Sequence, residues 1–155
     1  MLTTNQLYMR KTMTDITVSG GTASQREKVK SMALFCIKKL MPRMQTLNIE
    51  ITLKKINGAM GYCLCETKRD FELEIGTNQR LRRLLETVAH EMVHVKQFAR
   101  GELNEKPAWL GKTYNVDKTE YWDLPWEVEA HGREVGLFIR WAQENGYADK
   151  QWTQD

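Results

Sequence analysis

Hydrophobic and polar positions alternate with two different periods along the chain, and the switches between them mark out its elements. Ser24-Gln25-Arg26-Glu27 has the spacing of a capping box with Ser24 as N-cap. Val29, Met32, Ala33, Cys36 and Leu40 then recur at helical spacing until Pro42. Leu47, Ile49, Ile51 and Leu53 alternate with polar residues, as in a half-buried strand. Gly58 and Gly61 mark a turn, residues 61–66 read as a second strand, and Phe71, Leu73 and Ile75 alternate with Glu72 and Glu74 as a third. The short connections predict an antiparallel meander of three strands.

A long helix is predicted from about Gln79 to Ala99. Its apolar stripe is Leu81, Leu84, Leu85, Val88, Met92, Val95 and Ala99, and Gly101 ends it. Residues 101–122 read as irregular. A last helix is predicted from an N-cap at Asp123, with Pro125 in its first turn, to about Glu144, where Asn145-Gly146 stops it. The order is helix, three strands, helix, long loop, helix, so the expected fold class is α+β. Residues 1–22 are polar, end in Ser19-Gly20-Gly21 and read as a loose arm. Residues 23–155 read as a single domain.

The chemistry lies in His90-Glu91-Met92-Val93-His94, an H-E-x-x-H pattern inside the long helix. Residues four apart share a helical face, so the two imidazoles can hold one metal ion, and Glu91 can take a proton from a water on that ion. At about 100° per residue, His90 and His94 fall opposite the apolar stripe, with Arg83, Glu86 and Gln97, and so face water or a cleft. The chain has 3 histidines, and the one outside the motif, His131, is in the last helix. There Glu127, His131 and Glu134 are spaced to share a face, whereas Glu129 points roughly the other way. Glu127 is the expected third ligand with His131 beside it. A three-histidine site using His131 competes with that choice.

H-E-x-x-H on one helix with a Glu on a later one resembles the zincin metallopeptidases, and within them the gluzincins. The element order over roughly residues 24–145 is similar to the compact minigluzincin core. Glu127-x-x-Ala130-His131 is similar to the E-x-x-A-N segment of ImmA/IrrE-type peptidases, with His131 where that family carries Asn. The chain also resembles SprT-like and small phage-encoded metallopeptidases, whose SprT-like members usually use a third histidine. The resemblance implies one zinc ion per chain and a protein or peptide substrate. It implies that Glu91 activates the attacking water and then hands its proton to the leaving amine. It also implies substrate pairing along an edge strand, here expected to be Phe71–Ile75, and an oxyanion donor, for which Tyr114, Tyr121 and His131 are the candidates.

Composition narrows the setting. With 23 basic and 20 acidic residues the chain is neither a polycation nor an acidic tail protein. No apolar run of about 18 residues and no secretion-type apolar core near the start are found. Three cysteines make no disulfide framework, so a cytoplasmic setting is expected and no membrane partner. Cys63-x-Cys65 lacks a second pair and reads as structural. Residues 1–56 hold 10 Lys/Arg against 3 Asp/Glu. That basic part motivates an alternative reading, a non-catalytic zincin-fold module docking a protein or DNA. The missing interleaved aromatics disfavour nucleic acid. Trp109, Trp122, Trp126 and Trp141 are expected as core and loop anchors, and Gly132 and Gly136 as sites of close helix packing.

Overall fold

The computed structural model describes residues 13–155. Strand β1 is Asp15–Gly20, helix α1 Ala23–Leu40, β2 Asn48–Lys54, β3 Gly61–Cys65, β4 Asp70–Gly76 and α2 Leu81–Ala99. The short strands β5 (Ala108–Trp109) and β6 (Lys112–Thr113) follow, then α3, Pro125–Glu144. The fold is α+β, and the described residues form three α-helices, a mixed four-stranded sheet in the order β1-β2-β4-β3 and the two-stranded β5-β6 ribbon.

This sheet replaces the expected three-stranded antiparallel meander. β1 pairs parallel with β2, β2 parallel with β4 (Ile51 opposite Leu73), and only β3 runs antiparallel, along β4 (Cys63 opposite Leu73). β4 therefore sits between β2 and β3, and β3 is at the edge. Burial explains the order. Phe71, Leu73 and Ile75 give β4 a fully buried face, whereas no residue of β3 is fully buried, and Tyr62 and Leu64 are exposed. The strand with the weaker apolar face takes the position where less covers it.

β1 occupies residues expected in the loose arm. Its only apolar pair, Ile16 and Val18, faces the core, and a parallel partner for β2 requires a crossover, which α1 provides. Residues 1–12 of the expected arm lie outside the described residues. The capping box of α1 is two residues earlier than expected. Thr22 is the N-cap, with Gln25 N–H donating to Thr22 Oγ1 (3.1 Å) and Thr22 N–H to Gln25 Oε1 (2.9 Å). Thr22-x-x-Gln25 satisfies the same spacing rule as Ser24-x-x-Glu27.

The core lies between one face of the sheet and the helices, built from Ile49, Ile51, Phe71, Leu73 and Ile75 against Met32, Cys36, Leu84, Val88 and Met92. α2 packs on α1, β3 and β4 and also on α3, so almost none of it is exposed. A smaller cluster of Leu103, Leu124 and Trp126, joined by Phe98, Trp109 and Tyr114, closes the loop 101–122 against the start of α3. Asp123 is not the N-cap of α3. It ends a 3₁₀ turn, Tyr121–Asp123, and Leu124 precedes Pro125 at the helix start without a side-chain cap. Trp126 and Trp141 are buried as expected, but Trp122 is 68% exposed. A Cβ at Gly132 or Gly136 would meet nothing within 4 Å, so neither glycine serves close packing in this fold. Among the described residues no helix is long and apolar enough to cross a membrane.

Candidate metal centre

The polar face of α2 meets the polar face of α3 across a cleft of about 540 Å³. Arg83, Thr87, Glu91, His94 and Phe98 line it from α2, Gly61, Tyr62 and Cys63 from β3, and Glu127, His131 and Glu134 from α3. Helical phase places His90 and His94 off the apolar stripe. They lie buried at this interhelical cleft rather than on an open face.

The structure brings together His90, His94 and Glu127. His90 Nε2 is 3.2 Å from His94 Nε2 and 3.2 Å from Glu127 Oε2, and His94 Nε2 is 3.2 Å from Glu127 Oε1. These three side chains could hold one cation. His90, His131 and Glu134 form a second converging group. There, however, Glu134 already accepts from His131 Nδ1 (2.8 Å) and from Arg83 Nη1 (3.2 Å), a fixed positive charge that opposes an added cation.

Glu91 is buried beside the histidines, with its carboxylate 3.2 Å from where a Cβ on Gly61 of β3 would stand. Burial pushes its carboxyl above the ordinary range, and Glu127 and Glu134 add to the rise, while His94 and His90 oppose it. Burial also raises the Glu127 carboxyl. The bonds to His90 and His94, the His94 charge and the Tyr121 hydroxyl outweigh this and hold it well below the usual carboxylate range. His94 is the complement. Burial lowers it, and the Glu127 bond and the Glu91 and Glu127 charges raise it to a net value above that of a free imidazole.

Tyr121 reaches this cluster, and Tyr114 does not. The Tyr121 hydroxyl donates to Glu127 Oε2 (2.7 Å) and lies 2.9 Å from His131 Nε2, while Tyr114 stands edge-on to Trp126 in the smaller cluster. Burial and then Glu127 raise the Tyr121 phenol, which keeps its proton. Exposed Trp122 covers the His131 ring at 4.7 Å. Glu129 pairs with Lys96 (2.7 Å), away from the histidines.

The strand beside the cleft is β3, not the expected Phe71–Ile75, which as β4 has a neighbour on each side. Two residues at the site had no role in the sequence reading. Gln97 bonds His94, and Glu134 bonds His131 and Arg83. The signal for both was present, because Gln97 is three residues beyond His94 and Glu134 three beyond His131, on the same helical faces. No family model, no curated protein and no solved structure matches the chain.

Proposed function

We propose that the chain is a zinc-dependent peptidase of the gluzincin kind, with His90, His94 and Glu127 as metal ligands and Glu91 as general base. The observation that carries this reading is the convergence of two helices' donors: His90 Nε2 and His94 Nε2 stand 3.2 Å apart, and the Glu127 carboxylate meets both, Oε2 at 3.2 Å from His90 and Oε1 at 3.2 Å from His94. Ligands about 2.0–2.1 Å from a tetrahedral zinc stand about 3.3–3.4 Å apart, so the two imidazole nitrogens already have the separation one ion needs, with the Glu127 carboxylate beside both. Two imidazoles and one carboxylate also match a catalytic zinc site in chemistry, with three protein ligands and a fourth position left open.

When bound, the ion supplies Lewis acidity to a water and to the scissile carbonyl. Glu91, raised by burial, takes the proton of the attacking water and delivers it to the leaving amine nitrogen. Tyr121 and His131 are the remaining oxyanion candidates. The single Tyr121 proton goes to Glu127, so the hydroxyl must turn to serve a substrate oxygen. Among the described residues β3 pairs on one side only, and its residues Gly61, Tyr62 and Cys63 line the cleft. An extended peptide adding to that edge would pass Glu91.

Elemental analysis of the wild type and Glu127→Ala, together with hydrolysis of fluorescently labelled denatured casein by the wild type and Glu91→Gln, tests the proposal. The expectation is one zinc per chain, less in Glu127→Ala, and zinc without hydrolysis in Glu91→Gln. Full zinc in Glu127→Ala would move the third ligand to His131. A wild type that takes no zinc after reconstitution, or a fully active Glu91→Gln, would refute the mechanism. Zinc without wild-type turnover would favour the non-catalytic module.

A further inference from the structure

Gln97 is wholly buried, and each of its polar atoms has a partner. Its Nε2 lies 2.9 Å from the Trp126 carbonyl and 3.0 Å from Glu129 Oε1. Both partners only accept hydrogen bonds, so both must receive the two protons of the amide nitrogen. That fixes which way the amide faces, because the flipped form would set its oxygen against two acceptors in a dry site. Gln97 Oε1 then faces His94 Nδ1 at 2.8 Å. An amide oxygen cannot donate, so Nδ1 must carry the proton. In the neutral ring this leaves Nε2 with the lone pair, against the pull of the Glu127 carboxylate, which lies 3.2 Å from Nε2 and favours a proton there until a cation stands between them; Nε2 is the atom that points at His90 and Glu127.

We infer that Gln97 is the positioning residue of this centre, locking His94 in the one tautomer that can ligate. The lock is set from α3. Trp126 and Glu129 flank Glu127 in sequence, so the docking that delivers the third ligand also fixes the second ligand's proton. Glu129 is held in turn by Lys96 (2.7 Å) and Arg133 (3.2 Å), and Lys96 also meets Glu102 at 2.8 Å. Without the Gln97 oxygen the two ring tautomers interconvert freely, and a fraction of the molecules presents N–H to the cation.

The inference rests on His94 being a ligand, but its first readout needs no metal. Long-range ¹⁵N–¹H correlation spectra of the histidine rings are recorded on zinc-free protein at pH about 9, above the usual imidazole range. The wild type is expected to show His94 protonated at Nδ1. Gln97→Met keeps the length and removes the acceptor. It should show mixed tautomers and a zinc affinity about 10–100-fold weaker. Glu129→Gln keeps an acceptor for the amide and should preserve the wild-type signature. A wild-type His94 protonated at Nε2 would overturn the inference. So would a folded Gln97→Met that keeps the Nδ1–H signature and wild-type zinc affinity. If Gln97→Met fails to fold, the wild-type spectrum alone decides. A wild type that binds no zinc refutes the peptidase reading, and the ring spectrum still reports on the lock.

Discussion

At Gly61 the edge strand packs tightly against the helix that carries Glu91, and Gly61→Ala tests that contact. The glycine is not there for its backbone angles, since Gly61 is absent from the positive-φ positions. It is there for space. A Cβ would lie 2.9 Å from Thr87 Cγ2, 3.0 Å from the Glu74 carbonyl oxygen and 3.2 Å from Glu91 Oε1. Two of these neighbours cannot yield. The Glu74 oxygen belongs to the backbone of β4, opposite β3. Thr87 is held by its hydroxyl, which donates to the Arg83 carbonyl at 2.8 Å and lies 3.2 Å from Gln79 Oε1. The strain therefore goes into β3 and the Glu91 side chain. An unstrained Gly→Ala gains about 0.4–1 kcal/mol from the unfolded state, and one methyl forced into a packed site costs about 1–3 kcal/mol. The net expectation is a loss of about 1–2 kcal/mol, or a Tm lower by about 2–8 °C for a chain of this size. Urea and thermal unfolding of the metal-free protein measure it. Zinc content should hold while casein hydrolysis falls, because the methyl displaces the base and no ligand. An unchanged or raised stability would refute the steric argument regardless of activity.

Gly132→Ala and Gly136→Ala should do the opposite. Both sites are helical with nothing within 4 Å of the added methyl, so each should raise stability by about 0.8–1 kcal/mol in urea unfolding; no gain would mean the exposed face of α3 is not free helix surface. Lys96→Met removes the buried cation between Glu129 and Glu102. The usual cost is about 3–5 kcal/mol, and because Arg133 and Arg100 still pair with the two carboxylates, the lower end is expected from the urea midpoint. Cys36 is fully buried, and burial pushes its thiol far up. Below about pH 8.5 the thiol is neutral in both states. Above that the unfolded chain ionises first and stability falls by about 1.4 kcal/mol per pH unit. Cys36→Ala should lose this slope, so that its deficit against the wild type shrinks by about 2 kcal/mol between pH 8 and pH 10; parallel pH profiles would contradict the burial argument.

What was legible in the sequence follows from how far each geometric rule reaches. A helix fixes the relative positions of its own residues. The spacing of His90, Glu91 and His94, and their turn away from Met92 and Val88, could be read before any partner was known. The same rule places Gln97 beside His94. Its role went unread because only the α3 side, the Trp126 carbonyl and Glu129, tells the amide which way to face. Strand alternation likewise says which face of a strand is buried and nothing about its neighbour. Phe71–Ile75 was therefore seen as a strand and misplaced at the edge, and Ile16 with Val18 was too short a signal to separate β1 from an arm.

The choice of third ligand shows the same limit most sharply. Glu127, His131 and Glu134 lie on one face of α3, and one turn of helix is about 5.4 Å. Sliding α3 by one turn along α2 would exchange Glu127 for His131 opposite the two motif histidines with no change in either helix's own pattern. What sets the offset is apolar packing at the two ends of α3, one beside the cleft and one away from it. Leu124 and Trp126 seat the start of α3 against Leu103 and Phe98, and Phe138, Trp141 and Ala142 seat its other end in the main core. A cavity cut at the far anchor, as in Phe138→Ala, should therefore disturb the donor set and lower the zinc content read by elemental analysis, since a shift of even 1 Å in α3 is large against donor separations of 3.2 Å.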